Sequence, residues 1–198
     1  MTSLLLATTN AGKLREIRQI LTGLPVAVRS LADVPAVVEP EETGATFAEN
    51  ARQKALYYAR ETGGLVVAED SGLEIDALGG APGIYSARFG AEEAPAYEQK
   101  FELIYRMLTE RTGGIESTAR FVCALALAQA GEVLFEARGT VEGRVTKPPR
   151  GNGGFGYDPI FYYPPFDATL AELDADRKAA VSHRGAAFRQ LREFLLGS

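Results

Sequence analysis

Apolar residues recur along this chain with two periods, one suited to helices and one to strands. Residues 3–9, SLLLATT, are a short apolar run and predict a buried strand. Ile17, Ile20, Leu21 and Leu24 then fall at helical spacing, so residues 13–21 predict a helix behind a tight loop. VAVRSL at 26–31 returns to a strand pattern. Thr46 followed by Glu49 is a capping-box signature, and Ala48, Ala51, Ala55 and Ala59 form a small-residue face behind it, which predicts a helix over about residues 46–61. LVVAED and GLEIDAL predict two strand segments separated at Ser71 and Gly72, and GGAPGIYSA after them predicts an ordered loop. Phe101, Ile104, Tyr105 and Leu108 mark another amphipathic helix. TARFVCALALA and EVLFEARGTVEGRV predict two long strands, paired as a hairpin around Ala130 and Gly131. The tail from about Ser182 to Leu196 predicts a last helix with Phe188, Leu191 and Leu195 on one face.

Helices between some strands, together with an antiparallel pair, predict an α/β fold on a mixed sheet. A length of 198 residues, 46% of them hydrophobic, suits one domain over residues 1–198, divided into two lobes by a cleft. No apolar run approaches a bilayer span, and LLLA at 4–7 lacks the basic lead and longer core of a signal peptide, so a cytoplasmic protein without a membrane partner is expected. Cys123 is the only cysteine, which rules out an internal disulfide or a cysteine zinc cluster and predicts a buried, inert thiol in the apolar setting FVCALALA. His183 is the only histidine, which rules out multi-histidine metal sites. A net charge of −5 argues against a protein that tracks nucleic-acid backbone, while leaving room for a small anionic ligand held by local cations.

Five segments carry candidate chemistry. LVVAEDS, residues 65–71, runs an apolar strand into two adjacent carboxylates, Glu69 and Asp70, which repel each other and call for a cation nearby. ATTNAGK, residues 7–13, leaves a strand and opens a helix, where unpaired N–H groups and Lys13 suit an anion; it reads equally as a plain turn capped by Asn10, and it lacks P-loop spacing. RGNGGFGYDP, residues 150–159, sets glycines around Phe155, an arrangement that lets backbone approach a flat ligand, although a tight loop would also explain the glycines. RKAAVSHRG places Lys178, His183 and Arg184 near the start of the last helix, where such residues are also commonly structural. EPEETG at 39–44 reads as a solvated acidic turn unless a divalent cation is held close by.

Taken in order, TTNAGK, EETGATFAENARQKA, EDSGLEIDALGGAPGIYSARF, GGFGYDPIF and KAAVSHRGAA resemble the Ham1-like inosine triphosphate pyrophosphatase family, whose bacterial members look closest. The resemblance spans nearly the whole chain, and five separated motifs in order are far more specific than any one of them. It implies hydrolysis of inosine, deoxyinosine and xanthosine triphosphates to the monophosphate and pyrophosphate, with magnesium, in a homodimer. The implied fold is an elongated mixed β-sheet flanked by helices, with two lobes around a central cleft.

By motif position, the resemblance implies that Thr8, Thr9, Asn10, Ala11, Gly12 and Lys13 line a phosphate site. Glu41 and Asp70 would serve the metal, Asp70 would be the catalytic general base, and Ser71 would touch substrate. Phe155, Gly156, Tyr157, Asp158, Lys178, His183 and Arg184 would hold the nucleotide, with Phe155 stacking on the base. Two positions depart from the family pattern: Glu69 stands where many bacterial members have aspartate, and Thr9 where the family often has glycine. A β-branched residue at Thr9 restricts any conformation that needs a positive φ. Two rivals stay open. One is a Maf-like nucleotide pyrophosphatase of different base preference; the other is a non-enzymatic nucleotide-binding module. Tyr162 and Tyr163 are candidate exposed aromatics for a dimer surface.

Overall fold

The computed structural model describes residues 3–197. Strand β1 (Ser3–Leu6) pairs in parallel with both β2 (Ala27–Ser30) and β3 (Leu65–Ile75). Parallel neighbours need long crossovers, and helices α1 (Ala11–Ile20) and α2 (Phe47–Thr62) lie within these two. Helix α3 (Tyr97–Thr112) precedes β4 (Thr118–Gln129) and β5 (Glu132–Val145). These two strands meet at Ala130 and Gly131, whose φ values of 52° and 86° are the left-handed pair that a two-residue hairpin turn requires. Strand β6 (Phe161–Tyr163) is antiparallel to β5 and to β7 (Ala168–Thr169), and helices α4 (Ala175–Val181) and α5 (His183–Gly197) complete the chain. The seven strands form one mixed sheet in the order β2-β1-β3-β4-β5-β6-β7.

The chain divides into two compact units. The first runs through Asp70, takes in Cys123–Gly139 and resumes at Ser182. Its core joins Leu4, Leu6, Ile17, Leu65, Val67, Leu125, Leu127, Phe188 and Leu191. The second unit is Ser71–Val122 with Thr140–Val181, and it has a core of its own around Leu73, Ile75, Phe101, Ile104, Leu108, Phe121, Ile160 and Phe161. Strand β4 is buried over nine of its twelve positions, so its apolar run has no alternation to show, whereas β5 alternates as a half-covered strand does.

Several local expectations change. The strand expected to break at Ser71 and Gly72 is continuous, and it ends at Ile75 in a 3-10 turn over Asp76–Leu78. Gly72 serves close approach: a Cβ there would lie 2.3 Å from the Ser86 hydroxyl and 2.5 Å from the Gly83 carbonyl oxygen. That hydroxyl accepts from the Leu73 N–H at 2.9 Å. The expected last helix is α5, and the unexpected short helix α4 precedes it, with Ser182 between them accepting from the Gly185 N–H through its side chain at 3.0 Å. On α2, Ala51, Ala55 and Ala59 are buried but Ala48 is exposed, and the expected Glu49 capping contact goes to the Ala45 N–H at 2.7 Å. Tyr162 and Tyr163 are half-buried: Tyr162 is flanked by Arg144 and Arg150 at 4.9 Å and 5.4 Å, while Tyr85, Tyr97 and Phe166 are exposed. Among the described residues no helix is long and apolar enough to cross a membrane.

Candidate active site

In the first unit, the loop after β1 turns into α1 through Asn10, whose side-chain oxygen accepts from the Lys13 N–H at 3.0 Å. The Asn10 N–H in turn reaches the Thr8 hydroxyl at 3.2 Å. Thr9 is exposed and takes no positive φ, so the residue that departs from the family pattern fits this loop without strain. No acidic residue occupies the first turn of α1, which leaves the positive end of the helix dipole uncompensated by its own side chains. An exposed loop of this kind, with Thr9, Asn10 and Ala11 at the surface, is suited to an anion.

Asp70 sits on β3, 6% exposed, and accepts a hydrogen bond from the Asn50 amide at 3.0 Å. The same Asn50 offers its oxygen to the Gly44 N–H at 2.8 Å. Only glycine fits at position 44, because a Cβ would lie 2.6 Å from that Asn50 oxygen and 2.9 Å from the Asn50 backbone nitrogen. The acidic turn at 39–44 is thereby tied to the carboxylate through one α2 side chain. Lys54, one helical turn beyond Asn50, holds Glu42 at 2.6 Å and lies 4.0 Å from Asp70. Burial raises the pKa of the Asp70 carboxyl above its ordinary value; the Lys54 ammonium and the Asn50 amide oppose the rise, and Glu42 adds to it. Burial would lower Lys54, but Asp70 and Glu42 outweigh that effect and raise it. Glu41, the neighbour of Glu42 in the chain, is exposed.

Glu69 faces a different set of partners. Its side chain is 1% exposed and meets Lys13 at 3.0 Å and Arg184 at 3.1 Å. Burial pushes the Glu69 carboxyl up, yet the Arg184 guanidinium and the Lys13 ammonium win and hold it well below the usual carboxylate range. The Cys123 thiol also donates to Glu69, at 3.3 Å, and burial keeps that thiol protonated by pushing its pKa well above the ordinary value. Cys123 is buried as expected, in a setting less apolar than its neighbours suggest. His183 and Arg184 open α5 and are both buried. They come close to β5 because Gly139 lacks a side chain: a Cβ there would lie 2.1 Å from the His183 carbonyl oxygen.

In the second unit, Asp158 is buried and accepts from the Phe155 N–H at 2.7 Å while pairing with the buried Lys178 ammonium. That ammonium also lies 4.8 Å from the centre of the half-buried Phe155 ring. Gly154 and Gly156 both take positive φ, 67° and 65°, on either side of Phe155. Tyr157 points inward: its hydroxyl donates to the Ser86 carbonyl at 2.9 Å and its ring meets Tyr97 edge-on at 5.2 Å. Ser71, half-buried, follows Asp70 on β3.

Thr8 to Lys13, Glu41, Asp70, His183 and Arg184 thus belong to the first unit, and Phe155 to Asp158 with Lys178 to the second. Sequence reasoning passed over Asn50, Lys54 and Glu42, which hold or flank Asp70. Their signal was present: Asn50 and Lys54 lie on the buried alanine face of α2, where a polar residue calls for a partner. Glu16, which braces Arg184 at 2.6 Å, carried no comparable signal.

The sequence pattern of the Ham1 family matches residues 4–194. The chain is 50% identical over 191 residues to a dITP/XTP pyrophosphatase of Gloeobacter violaceus, covering 96% of this chain and 93% of that one. It is 49% identical over 189 residues to a dITP/XTP pyrophosphatase of an Exiguobacterium species, covering 95% and 94%. Among solved structures, a HAM1 protein from Coxiella burnetii superposes with a TM-score of 0.89 at 37% identity, over 100% of both chains. The Staphylococcus aureus Ham1 protein gives 0.85 at 36% identity, over 99% of both. With a family pattern spanning nearly all of its length and relatives this similar, the chain belongs to the Ham1 family.

Proposed function

We propose that this chain is a dITP/XTP pyrophosphatase, which hydrolyses the non-canonical purine nucleotides ITP, dITP and XTP to the monophosphate and pyrophosphate and so clears them from the nucleotide pool. The observation that carries this reading is the Asp70 carboxylate at 6% exposure, oriented by Asn50, in the same unit as the open amide loop at the start of α1. The relatives that share this chain's length bear that activity in their names.

Magnesium fits the residues present. Among the described residues no three His, Cys, Asp or Glu side chains cluster to cage a metal, and magnesium needs no such cage: it takes one or two carboxylates and completes its shell with water and phosphate oxygens. Asp70 and Glu41 are the carboxylates assigned to it, and the burial that raises the Asp70 pKa is the strain that a cation relieves. When bound, the ion supplies counter-charge to the triphosphate and withdraws charge from phosphorus.

The protein's own groups do the rest. Asp70 orients a water and takes its proton as that water attacks phosphorus, with pyrophosphate leaving. The first-turn amides of α1 and Lys13 receive the phosphate oxygens. The Phe155 ring stacks on the base, with Ser71, Gly156, Tyr157, Asp158 and Lys178 shaping and bracing its surroundings. Hypoxanthine and xanthine present a 6-oxo acceptor and an N1 donor, where adenine presents an amino donor and an N1 acceptor. Donors from His183, Arg184 and loop amides therefore favour the oxo bases, and the reversed pattern of adenine leaves buried groups unpaired. The remaining parts of the proposal are action as a homodimer and residence in the cytoplasm.

Product analysis with ITP, dITP, XTP, GTP and ATP, with and without magnesium, tests the reading. Magnesium-dependent release of pyrophosphate from ITP, dITP and XTP, well above that from GTP and ATP, is expected. Preference for other bases would favour a Maf-like activity, and tight ITP binding without pyrophosphate release would favour a binding module.

A further inference from the structure

Glu69 stands beside the proposed base, yet its carboxylate is used differently. Oxygen Oε1 accepts from Arg184 Nε at 3.2 Å, from Arg184 Nη2 at 3.1 Å and from the Lys13 ammonium at 3.0 Å. Oxygen Oε2 accepts from the Cys123 thiol at 3.3 Å. An ionised carboxylate accepts through two oxygens, and here both have partners: three donors crowd Oε1 and the thiol reaches Oε2. At 3% residue exposure it has no face turned to solvent. Arg184 is held from its other end as well, through Nη1 to Glu16 at 2.6 Å. Glu16 and Lys13 lie three residues apart on α1, so one helix supplies both a cation to Glu69 and an anion to Arg184. Two cations and two carboxylates from α1, β3 and α5 thus form a network of zero net charge, buried at Glu69 and Arg184 and half-buried at Lys13 and Glu16, with the thiol of β4 as its fifth member.

We propose that Glu69 is a positioning residue that ties Lys13 and Arg184 to one carboxylate oxygen, so that the phosphate-side lysine and the arginine at the start of α5 are fixed relative to each other. The inference rests on the nucleotide reading above, in which Lys13 serves the phosphates and Arg184 serves the base. Both cations draw on the same oxygen. Removing its charge therefore frees Lys13 from its short partner and loosens two of the anchors that set the guanidinium plane. The two ends of the substrate are then read less well together, and discrimination between oxo and amino bases falls with affinity. Both Glu69 oxygens accept from groups of α1, β4 and α5, whereas the Asp70 carboxylate accepts from Asn50 of α2.

Glu69→Gln keeps the shape and removes the charge. The first readout needs no nucleotide: thermal unfolding in a double-mutant cycle with Arg184→Met. Each single change is expected to lower Tm because it leaves a buried charge uncompensated, and the double variant is expected to lose less than the sum. Strict additivity would overturn the shared-oxygen clamp. The second readout is kcat and KM for ITP and for ATP, with the magnesium concentration at half-maximal rate. A fall in kcat/KM for ITP of about tenfold or more is expected, larger than the fall for ATP, with the magnesium midpoint within about twofold of wild type. Equal falls for both nucleotides, or a magnesium midpoint raised about tenfold as for a lost outer or inner ligand, would overturn the assignment. If Glu69→Gln does not fold, Glu16→Gln removes only the outer brace of Arg184. It is expected to lower the ITP-over-ATP ratio by a smaller factor, and an unchanged ratio would overturn the proposal. If the wild-type protein releases no pyrophosphate from ITP, the nucleotide reading fails, while the unfolding cycle still decides whether the clamp exists.

Discussion

Asn50 fixes the orientation of Asp70: its amide donates to Oδ2 of the aspartate at 3.0 Å while its own oxygen is pinned by the Gly44 N–H at 2.8 Å. One side chain on α2 therefore couples the acidic turn to the carboxylate on β3. If Asp70 is the proposed general base, this hold sets its direction, and a misplacement of about 1 Å at such a group is worth on the order of a hundredfold in rate.

Asn50→Ala removes both contacts. It is expected to lower kcat for ITP by at least about tenfold, and to destabilise the protein by about 1–3 kcal/mol because the Gly44 N–H and one Asp70 oxygen lose their partners. Steady-state kinetics and thermal unfolding of the same preparation check both. A folded variant with unchanged kcat would remove Asn50 from the account.

Phe155→Ala tests the stacking platform of the second unit. Loss of one stacked base is expected to weaken nucleotide binding by about 1–3 kcal/mol. Calorimetric titration with a non-hydrolysable ITP analogue reads it directly. Unchanged affinity would mean that the ring only shields the Lys178 ammonium, 4.8 Å away.

Gly139→Ala tests how α5 is seated. The added methyl would lie 2.1 Å from the His183 carbonyl oxygen and 2.6 Å from the Ala187 nitrogen, both backbone atoms that no rotamer change moves. A loss of about 1–3 kcal/mol in urea unfolding is expected, from overpacking at a site that cannot yield. Stability equal to wild type would show that α5 shifts freely against β5.

The pH dependence of stability follows at Asp76. Hydrogen bonds from Arg120 and Thr118 lower its carboxyl pKa below the ordinary value of 3.8. A carboxylate with a depressed folded-state pKa stabilises the fold above its unfolded value, and that contribution is lost as pH falls through the folded one. Wild type is therefore expected to exceed Asp76→Asn in Tm at neutral pH, with the gap closing only below pH 3.8. The pair is partly exposed, so the difference is expected at about 1 kcal/mol or less. A gap that persists unchanged in acid would contradict this origin.

Periodicity made much of this fold legible. The cap at Thr46, the helical spacing in α3 and the left-handed pair at Ala130 and Gly131 are local signals, and local hydrogen bonds answer them. Helix α4 was missed because seven residues, ADRKAAV, are too few for a repeating face. The continuous β3 was missed because Gly72 looks like punctuation in sequence and is, in space, a gap filled by Ser86. The motifs pointed to Lys13, Asp70 and Arg184, yet they said nothing of what holds Glu69. Its partners Cys123 and Arg184 lie 54 and 115 positions away, and no local spacing encodes such a pairing.

Asp70→Asn tests the central claim most directly, because it leaves size and most hydrogen bonding intact while removing the base. Turnover of ITP with magnesium is to be measured beside the Kd of a non-hydrolysable ITP analogue. The expected result is a fall in kcat of about 10²–10⁴-fold with Kd changed far less. Near-normal turnover, or a loss of binding as large as the loss of rate, would contradict it.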